Sequence, residues 1–459
     1  MSISQTIFRQ YDIRGIVGRD LTAEVAYGLG RGYAAYLYRK GIRGAVAVGR
    51  DNRPSGDLLR DALIRGLTEC GVDVVDIGVV PTPLLYWSLH HERVVGGIQI
   101  TGSHNPPEYN GFKMCVGTDS LHGVEIQALY ALIVAEQFPA GHGTVSSVAV
   151  IDRYVADIAT RIGPLHRADG TRLKVVFDCG NGAGALVAPQ LMRALDVDGI
   201  GLFTDSDGTF PNHHPDPTVP ENLEDCIAAV RASNAEIGVA FDGDADRIGV
   251  VDRTGRIIWG DHVLILYARD VLARTGTGQP IIFDVKCSQA LTHGIEQAGG
   301  VAVMWKTGHS LIKDKMKEMH APIAGEMSGH MFFTEGFYGH DDALYAAARL
   351  LRILADSGKR IDELLADVPP FVSTPELRIE TDETAKFEIV ERAAAHFKLT
   401  HEVIEVDGVR VLFGDGWGLL RASNTQPVIV ARFEAHTPAR LASIRGEMER
   451  WLHTQGVRL

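Results

Sequence analysis

The chain has 459 residues, 45% of them apolar, and carries 45 Lys and Arg against 58 Asp and Glu, a formal charge of −13 at pH 7. This length predicts three or four domains of roughly 100–200 residues, and the composition excludes a disordered or fibrous chain. The negative charge argues against binding to nucleic acid or to an anionic membrane, so a phosphorylated ligand would need a local basic site.

The cysteines and the N-terminal sequence indicate in which cellular compartment the protein is expected. Five cysteines lie far apart with no CxxC pair, which predicts buried thiols in a reducing compartment, not a disulfide framework or a zinc site. The N-terminal sequence lacks a signal-peptide pattern, and no apolar run approaches the roughly 18 residues of a membrane span. We therefore expect a soluble, cytoplasmic protein with no nucleic-acid or membrane partner.

A strand–helix–strand pattern occurs three times along the chain. The apolar runs that open it begin at residues 45, 173 and 280, and those that close it begin at residues 72, 199 and 301. The first helix has apolar residues at the spacing of one buried face and stops at Gly71, a natural left-handed cap. Continuous apolar strands alternating with helices predict three related α/β domains with parallel or mixed sheets.

The last ninety residues follow a different pattern. A strand at ELRIE precedes a helix from Thr384 to about residue 396. Two more strands, EVIEV and VRVLF, are joined by Asp407-Gly408, a dipeptide favoured in two-residue hairpin turns. The strand VIVARFEA and a helix from about Pro438 complete the region, which predicts an α+β domain. We expect a boundary or hinge at the proline pair 369–370.

The segment TGSHNPPEYNGFKM, residues 101–114, follows an apolar strand. Pro106 and Pro107 prevent helix formation there, so Ser103 is expected to be exposed at the end of the strand, where a hydroxyl can carry a phosphoryl or an acyl group. An ordinary polar turn is the alternative. Acyl transfer is disfavoured because the GxSxG motif is absent.

The segment FDGDADRIGVV places Asp242, Asp244 and Asp246 at every second position. In extended backbone their carboxylates point to one side, where they repel one another unless a cation lies between them. Ligands that are all oxygen favour Mg²⁺ or Ca²⁺. An EF-hand is excluded because Arg247 and Arg253 stand where Gly and Glu are needed. A solvated acidic turn is the remaining alternative.

Two further polar segments follow. In AGEMSGHMFF, the alternation of Glu326, Ser328 and His330 predicts one shared face suited to sugar hydroxyls, although a polar loop between apolar flanks is common. In GWGLLRASNTQPVIV, a guanidinium, hydroxyls and small residues predict a phosphate cradle, with a capped turn before the last strand as the alternative. The cradle residues are Arg421, Ser423, Asn424 and Thr425.

Together these segments resemble the α-D-phosphohexomutase superfamily, and most closely its bacterial phosphomannomutase/phosphoglucomutase branch. The resemblance runs from FRQYDIRG at Phe8 through GRDNRPSG, TGSHNPP, DGDADR, KTGHS and GEMSGH to RASNT. It implies three α/β domains and a mobile α+β fourth around a central cleft. We expect domain I at 1–148 with the phosphoserine loop, domain II at 149–256 with the metal loop, domain III at 257–368 with the sugar loop and domain IV at 369–459 with the phosphate loop.

The resemblance also implies roles for individual residues. Ser103 would be the phosphoserine and would bind Mg²⁺ together with the three aspartates. The residues that would surround the phosphoryl group are Arg14, His104, Lys113 and Arg247. Those that would bind the substrate are Lys286, His309, Glu326 and Ser328, with His330 close by, and Arg421, Ser423, Asn424 and Thr425 on its non-reacting phosphate. One departure is Ala245, where many relatives have Gly, and we expect only a slight backbone adjustment there.

The implied reaction interconverts hexose 6-phosphate and hexose 1-phosphate, on mannose or glucose or both. Phosphorylated Ser103 gives its phosphoryl group to the sugar, and the glucose or mannose 1,6-bisphosphate turns over and returns its other phosphate. Lys113 is the first candidate for general acid/base, its pKa lowered by neighbouring cations, with His330 and His104 as alternatives. We expect a monomer whose partners are small hexose phosphates.

Three alternatives to this function remain at the level of the sequence. The first is a phosphoglucosamine or phospho-N-acetylglucosamine mutase of the same superfamily, and only a few residues around GEMSGH argue against it. The second is a non-catalytic sugar-phosphate-binding protein, which the presence of Ser103, Lys113 and the three aspartates disfavours. The third is a Mg²⁺-dependent phosphatase, which would admit water to the phosphoserine and release inorganic phosphate steadily.

Overall fold

The computed structural model describes residues 3–382, 385–423 and 427–457. These residues form four β-sheets of seven, five, four and six strands, each from its own stretch of the chain. The first three sheets combine parallel strands with antiparallel strands at one edge, and the fourth is antiparallel throughout. The predicted architecture of three α/β domains and an α+β domain is therefore confirmed. Domains I to IV are named here after these sheets in chain order.

Domain I is built on the seven-stranded sheet, in the order β1-β5-β4-β2-β3-β7 with β6 beside β5. Helix α2 ends before Gly71, whose φ of +80° is the left-handed conformation predicted for it. The elements are β1 (Ile13–Ile16), α1 (Ala23–Arg39), β2 (Ala45–Arg50), α2 (Gly56–Thr68), β3 (Val74–Val79), α3 (Thr82–His91), β4 (Val94–Ile100), β5 (Tyr109–Val116), β6 (Asp119–Ser120), α4 (Val124–Ala135) and β7 (Val145–Ser147).

Domain II is built on the five-stranded sheet, in the order β12-β11-β10-β8-β9. Its elements are α5 (Ile151–Ile162), β8 (Lys174–Asp178), α6 (Ala188–Ala194), β9 (Asp198–Leu202), α7 (Glu224–Ser233), β10 (Ile237–Phe241), β11 (Ile248–Asp252) and β12 (Ile257–Ile258). Short 3-10 helices at Ala183–Leu186 and Pro220–Leu223 precede α6 and α7, and another at Gln5–Ile7 precedes the first sheet.

Domain III is built on the four-stranded sheet, in the order β14-β13-β15-β16. Its elements are α8 (Gly260–Thr275), β13 (Pro280–Asp284), α9 (Gln289–Gln297), β14 (Val301–Trp305), α10 (His309–Met319), β15 (Ile323–Gly325), β16 (Met331–Phe333), α11 (Ala343–Ser357) and α12 (Ile361–Leu364).

The three α/β domains repeat one topology. Strands β5-β4-β2-β3 of domain I lie in the same order and with the same directions as β11-β10-β8-β9 and β16-β15-β13-β14. The repeat predicted from the sequence is therefore present in the sheets. In each domain one loop leads from the last parallel strand to its antiparallel neighbour, and these are the loops after β4, β10 and β15.

Domain IV holds the six-stranded sheet, in which β17 and β18 both pair with β22. Its elements are β17 (Val372–Ser373), β18 (Leu377–Glu380), α13 (Ala385–Phe397), β19 (Glu402–Ile404), β20 (Val409–Leu412), β21 (Gly416–Ala422), β22 (Val428–Ala435) and α14 (Pro438–Thr454). Thr384, where the helix α13 was predicted to begin, lies outside the described residues.

Domain IV differs from the prediction in two places. The sequence GWGLLRA is β21, a strand in the interior of the sheet that was not predicted. Its two glycines hide the apolar alternation by which strands are recognised. The hairpin between β19 and β20 has a loop at 405–408, longer than the two residues predicted from Asp407-Gly408, because β19 ends at Ile404.

The hydrophobic cores show how the domains are joined. The largest cluster runs from α3 of domain I through domain II into α8 and α11 of domain III, so these three domains share buried surface. Domain IV has its own core, and a small cluster of Val285, Trp417 and Leu419 connects it to domain III. The sheets define the four domains, but they do not show at which residue of a connecting segment one domain ends and the next begins. The boundaries at 148, 256 and 368 therefore stay predictions.

Two further findings bear on the sequence predictions. All five cysteines are buried and unbridged, as predicted. Among the helices that the structure describes, none is long and apolar enough to cross a membrane.

Candidate active site

Ser103 lies in the loop between β4 and β5 of domain I. Its hydroxyl donates to Asp242 Oδ2 (3.2 Å) and lies 3.1 Å from His104 Nδ1. The expectation of an exposed serine is wrong: Ser103 is 3% exposed, because the loop after β10 of domain II packs directly against it. A Cβ on Gly243 of that loop would overlap the carbonyl oxygen of Ser103.

The three aspartates lie in the loop between β10 and β11, at the position in domain II that corresponds to the Ser103 loop in domain I. They are fully buried, and one oxygen from each lies within 4.8 Å of the others. The extended backbone predicted for them is wrong, because they occupy a tight turn in which Ala245 has a φ of +56°. A left-handed residue is easiest for glycine, so alanine here adopts the backbone that glycine would.

The charge balance of this loop fits a divalent cation. Burial, together with Asp246 and Asp244, raises the pKa of Asp242 well above its usual value. Within the described part of the chain, the Oδ1 atoms of Asp244 and Asp246 are buried without a hydrogen-bond partner. An all-oxygen donor set with buried oxygens that lack donors suits Mg²⁺, and the three carboxylates would hold it beside Ser103.

Lys113, on β5, lies in a carboxylate environment and not in a cationic one. Its Nζ lies 3.1 Å from Asp244 Oδ2 and also forms an ion pair with Asp246. Burial alone would lower the pKa of Lys113, but Asp244, Asp246 and Asp341 raise it well above the usual lysine value. The prediction that neighbouring cations lower the pKa of Lys113 is therefore wrong, because the charged groups next to its ammonium are carboxylates.

Arg14 and Arg247 flank the same loops. Arg14 donates to the Gly102 carbonyl (2.7 Å) and to Asn105 Oδ1 (2.5 Å), which places it on the Ser103 loop. Arg247 follows the aspartates directly, and its Nε donates to His330 Nε2 (2.9 Å). Burial and these two guanidiniums hold the pKa of His104 well below its usual value, so its ring is neutral beside Ser103.

The loop of domain III between β15 and β16 carries Glu326, Ser328 and His330. The single extended face predicted for them is wrong, because the chain turns here with Gly329 at a φ of +96°. Ser328 donates to Glu326 Oε2 (3.1 Å), so these two side chains stay together. His330 lies on the side of the metal loop, with Nδ1 3.6 Å from Asp246 Oδ1 and 3.2 Å from Asp341 Oδ2.

The remaining predicted binding residues border domain IV. Arg421, at the end of β21, donates from Nε to Asp407 Oδ2 (2.8 Å). Ser423 is buried just after the strand, whereas Asn424 and Thr425 lie outside the described residues.

On the domain III side of this border, Lys286 follows β13. It pairs with Glu376 (3.2 Å) of the segment that enters domain IV. His309 begins α10, with Nδ1 3.8 Å from Asp341 Oδ2. Its ring centroid lies 5.9 Å from that of His330, so the start of α10 contacts the sugar loop.

The structure adds residues that the sequence reasoning missed. Tyr11 donates to the Thr307 carbonyl (2.8 Å) and so bridges domains I and III. It lies within the FRQYDIRG motif, so the resemblance to the family could have identified it. Thr82, at the start of α3, donates to Asp244 Oδ2 (2.5 Å), and no local pattern marks it. Asp341 likewise stands out only by its contacts with His330 and His309.

A buried hydroxyl beside three carboxylates, flanked by guanidiniums and an ammonium, is the equipment of a phosphoryl-transfer enzyme. Family models described as phosphoglucomutase/phosphomannomutase match all four domains: alpha/beta/alpha domain I at residues 5–139, domain II at 152–255, domain III at 259–371 and the C-terminal domain at 376–450. The chain belongs to the phosphoglucomutase/phosphomannomutase family, and it is an isomerase of the phosphohexomutase class.

Known relatives cover nearly the whole chain. A phosphomannomutase/phosphoglucomutase of Pseudomonas putida is 49% identical over 97% of this chain and 95% of its own length. A phosphoglucomutase of Neisseria gonorrhoeae is 47% identical over 98% of this chain and 97% of its own. The crystal structure of a family member from Burkholderia thailandensis superposes with a TM-score of 0.91 at 46% identity, covering 99% of this chain and 98% of that one.

Proposed function

We propose that the protein interconverts the 6-phosphates and 1-phosphates of glucose and mannose, with Ser103 as the phosphoryl carrier. The observation that carries the proposal is the distance of 3.2 Å between Ser103 Oγ and Asp242 Oδ2. A phosphate on Ser103 would project toward the three aspartates. It would add about −1.5 to −2 of charge, which requires cations close by. Mg²⁺ held by Asp242, Asp244 and Asp246 would offset negative charge on the transferring oxygens.

In the transfer step, a hydroxyl oxygen of the sugar bonds to the phosphorus and the bond from phosphorus to Ser103 Oγ breaks. The hydroxyl proton passes to a base, and a proton neutralises the departing serine oxygen. Arg14, Lys113 and Arg247 would lower the energy of the charge spread over the phosphoryl group. The resulting hexose 1,6-bisphosphate then reverses in the cleft and returns its other phosphate to Ser103.

His330 is the group best suited to take the proton. Its Nε2 accepts from Arg247 and its Nδ1 faces Asp341 Oδ2 at 3.2 Å, so the lone pair of Nε2 could take the sugar proton once the Arg247 guanidinium turns to the phosphoryl group. Lys113 is protonated among carboxylates and serves better as a fixed charge than as a base. His104, neutral beside Ser103, is the second candidate.

The sugar would be bound between domains III and IV. Glu326 and Ser328 offer an acceptor and a hydroxyl side by side, which suits sugar hydroxyls. Arg421 and Ser423, with Asn424 and Thr425, would hold the non-reacting phosphate. The relatives named phosphomannomutase/phosphoglucomutase and phosphoglucomutase support glucose and mannose as the sugars. We further propose a cytoplasmic monomer, because one chain supplies every group of this site and its thiols are free.

The experiment is a coupled assay with glucose 1-phosphate, mannose 1-phosphate and glucosamine 1-phosphate, primed with glucose 1,6-bisphosphate. Turnover of the first two and an added phosphate on Ser103, located by mass spectrometry, are the expected results. Preference for glucosamine 1-phosphate would replace the substrate assignment. Steady release of inorganic phosphate would indicate a phosphatase. A chain that binds these sugars without turnover would be a binding protein.

A further inference from the structure

The motif GRDNRPSG, residues 49–56, has no part in the function described so far, yet its Arg53 is among the most completely bonded side chains near Ser103. The guanidinium is fully buried, and its Nε donates to Asp51 Oδ2 (3.1 Å). The other four N–H groups can each serve one backbone carbonyl of the Ser103 loop. These acceptors are the carbonyl oxygens of Ser103 (2.7 Å), Asn105 (2.6 Å), Pro106 (2.6 Å) and Tyr109 (3.0 Å).

Asp51 holds the residues before Ser103. Its Oδ2 accepts from the Thr101 hydroxyl (2.8 Å) and from the Gly102 amide (3.1 Å). The Thr101 hydroxyl oxygen accepts in turn from the Ser103 amide (2.8 Å). The backbone is therefore fixed on both sides of Ser103, through Asp51 on the amide side and through Arg53 on the carbonyl side.

The Ser103 loop needs hydrogen bonds from outside because its own residues do not stabilise its conformation. Ser103 has a φ of +50°, the left-handed conformation that a non-glycine residue keeps only where its surroundings impose it. Two prolines remove amide donors nearby, and buried carbonyls without donors are unfavourable. The guanidinium also fits the loop closely, since a Cβ on Gly102 would overlap it.

We infer that Asp51 and Arg53 are positioning residues for phosphoryl transfer, which fix the backbone of Ser103 so that its oxygen faces the three aspartates. The inference rests on the proposed role of Ser103. Among the described residues, neither forms a hydrogen bond or ion pair with the sugar-binding groups, so we expect their effect to be on the alignment of the transferring phosphate. A misplacement of about 1 Å in such a step can cost about 100-fold in rate.

The first test is Arg53→Lys, whose ammonium keeps the charge but cannot serve four carbonyls at once. We expect kcat to fall about 100-fold while KM stays within about threefold. Hydrogen exchange should become faster at residues 102–109 and stay unchanged in domain IV. The matched control is Arg50→Lys in the same motif, because Arg50 forms its ion pair with Asp57 (2.7 Å) of α2. It should keep the wild-type kcat.

Gly102→Ala and Asp51→Asn perturb the same contacts without removing Arg53, and they decide the matter if Arg53→Lys does not fold. Each should lower kcat more than it raises KM. Wild-type kcat in these folded variants would overturn the inference, as would a kcat loss that matches the unfolded fraction. Mass analysis of Ser103 in the wild type distinguishes failure of the proposed function from failure of the positioning role. Absence of phosphate on Ser103 would refute the proposed function. Presence of the phosphate, together with variants of wild-type kcat, would refute only the positioning role.

Discussion

Around Ser103 the charged side chains form one network of ion pairs and hydrogen bonds, whereas around Arg421 the two cations, Arg421 and Lys286, form separate ion pairs with acidic side chains. At the first place, the transfer end, Lys113 and the three aspartates are at most 5% exposed, and Asp244 accepts hydrogen bonds from both Thr82 and Lys113. At the second, the binding end, Arg421 pairs with Asp407 and Lys286 with Glu376.

The difference fits the two tasks that the proposed reaction sets. Phosphoryl transfer needs charges that are already in place when the barrier is crossed, because reorganising them would cost rate. A phosphate that must leave and return during reversal needs cations that can exchange one anionic partner for another. We therefore expect changes at the transfer end to lower kcat and changes at the binding end to raise KM.

The largest effect is expected from Ser103→Ala. Turnover should fall by about three orders of magnitude or more, because the phosphoryl carrier is lost, while the fold stays intact. Intact-mass analysis should show that the added phosphate is also lost. The matched control is Ser88→Ala, which removes a buried serine hydroxyl of domain I that donates to the Leu84 carbonyl (2.7 Å). Near-native turnover of Ser103→Ala would contradict the carrier role.

Asp244→Asn should come next. It removes one negative charge from the metal loop, so Mg²⁺ affinity and kcat should both fall, kcat by about 100-fold, with a much smaller change in KM. Activity measured as a function of Mg²⁺ concentration gives kcat, and isothermal calorimetry gives the affinity for Mg²⁺. Asp252→Asn is the control, because this buried aspartate only supports a turn, accepting from the Thr254 amide (2.8 Å). A variant with a raised KM as its only defect would reverse the assignment of the two ends.

Arg421→Ala tests the binding end. Loss of a charge-assisted contact to the distal phosphate should raise KM about 10- to 100-fold and increase the release of free bisphosphate. Small-angle scattering should show compaction of the wild type with substrate and less in the variant, if the chain ahead of β17, at 369–371, is a hinge. Arg440→Ala removes the same charge from domain IV at an exposed pair with Asp415 and should change neither. Identical scattering with and without ligand would exclude closure of domain IV.

The smallest effect is expected from Glu376→Gln. Lys286 lowers the pKa of Glu376 to about 2 from its usual 4.5. A lowered pKa stabilises the folded state above pH 4.5, and this contribution is lost as the pH falls toward 2. The variant should therefore be less stable than the wild type by about 1–2 kcal/mol at pH 7, and the difference should shrink below pH 4.5. Glu380→Gln on the exposed side of β18 is the control. A stability difference between variant and wild type that does not change with pH would argue against the ion pair of Glu376 with Lys286.

The sequence could predict those features that depend on neighbours in the chain. The strands that begin near residues 45, 173 and 280 are where their apolar runs indicated, and Gly71 follows α2 in the left-handed conformation. The order of the motifs was sufficient to predict the family. Where the local pattern was weak, prediction failed: β21 was missed because glycine and arginine interrupt it.

The tertiary structure decided the surroundings of each functional group. Ser103 and Asp242 lie 139 positions apart, and only the packing of domain II on domain I brings them together and buries the serine. The same packing places Lys113 among carboxylates of domain II and reverses the direction predicted for its pKa. Periodicity and turn chemistry act over a few residues, whereas the pKa of a buried group depends on charges that any part of the chain can supply. The sequence therefore determined which residues carry the chemistry, and the packing of the domains determined how each of them is held and charged.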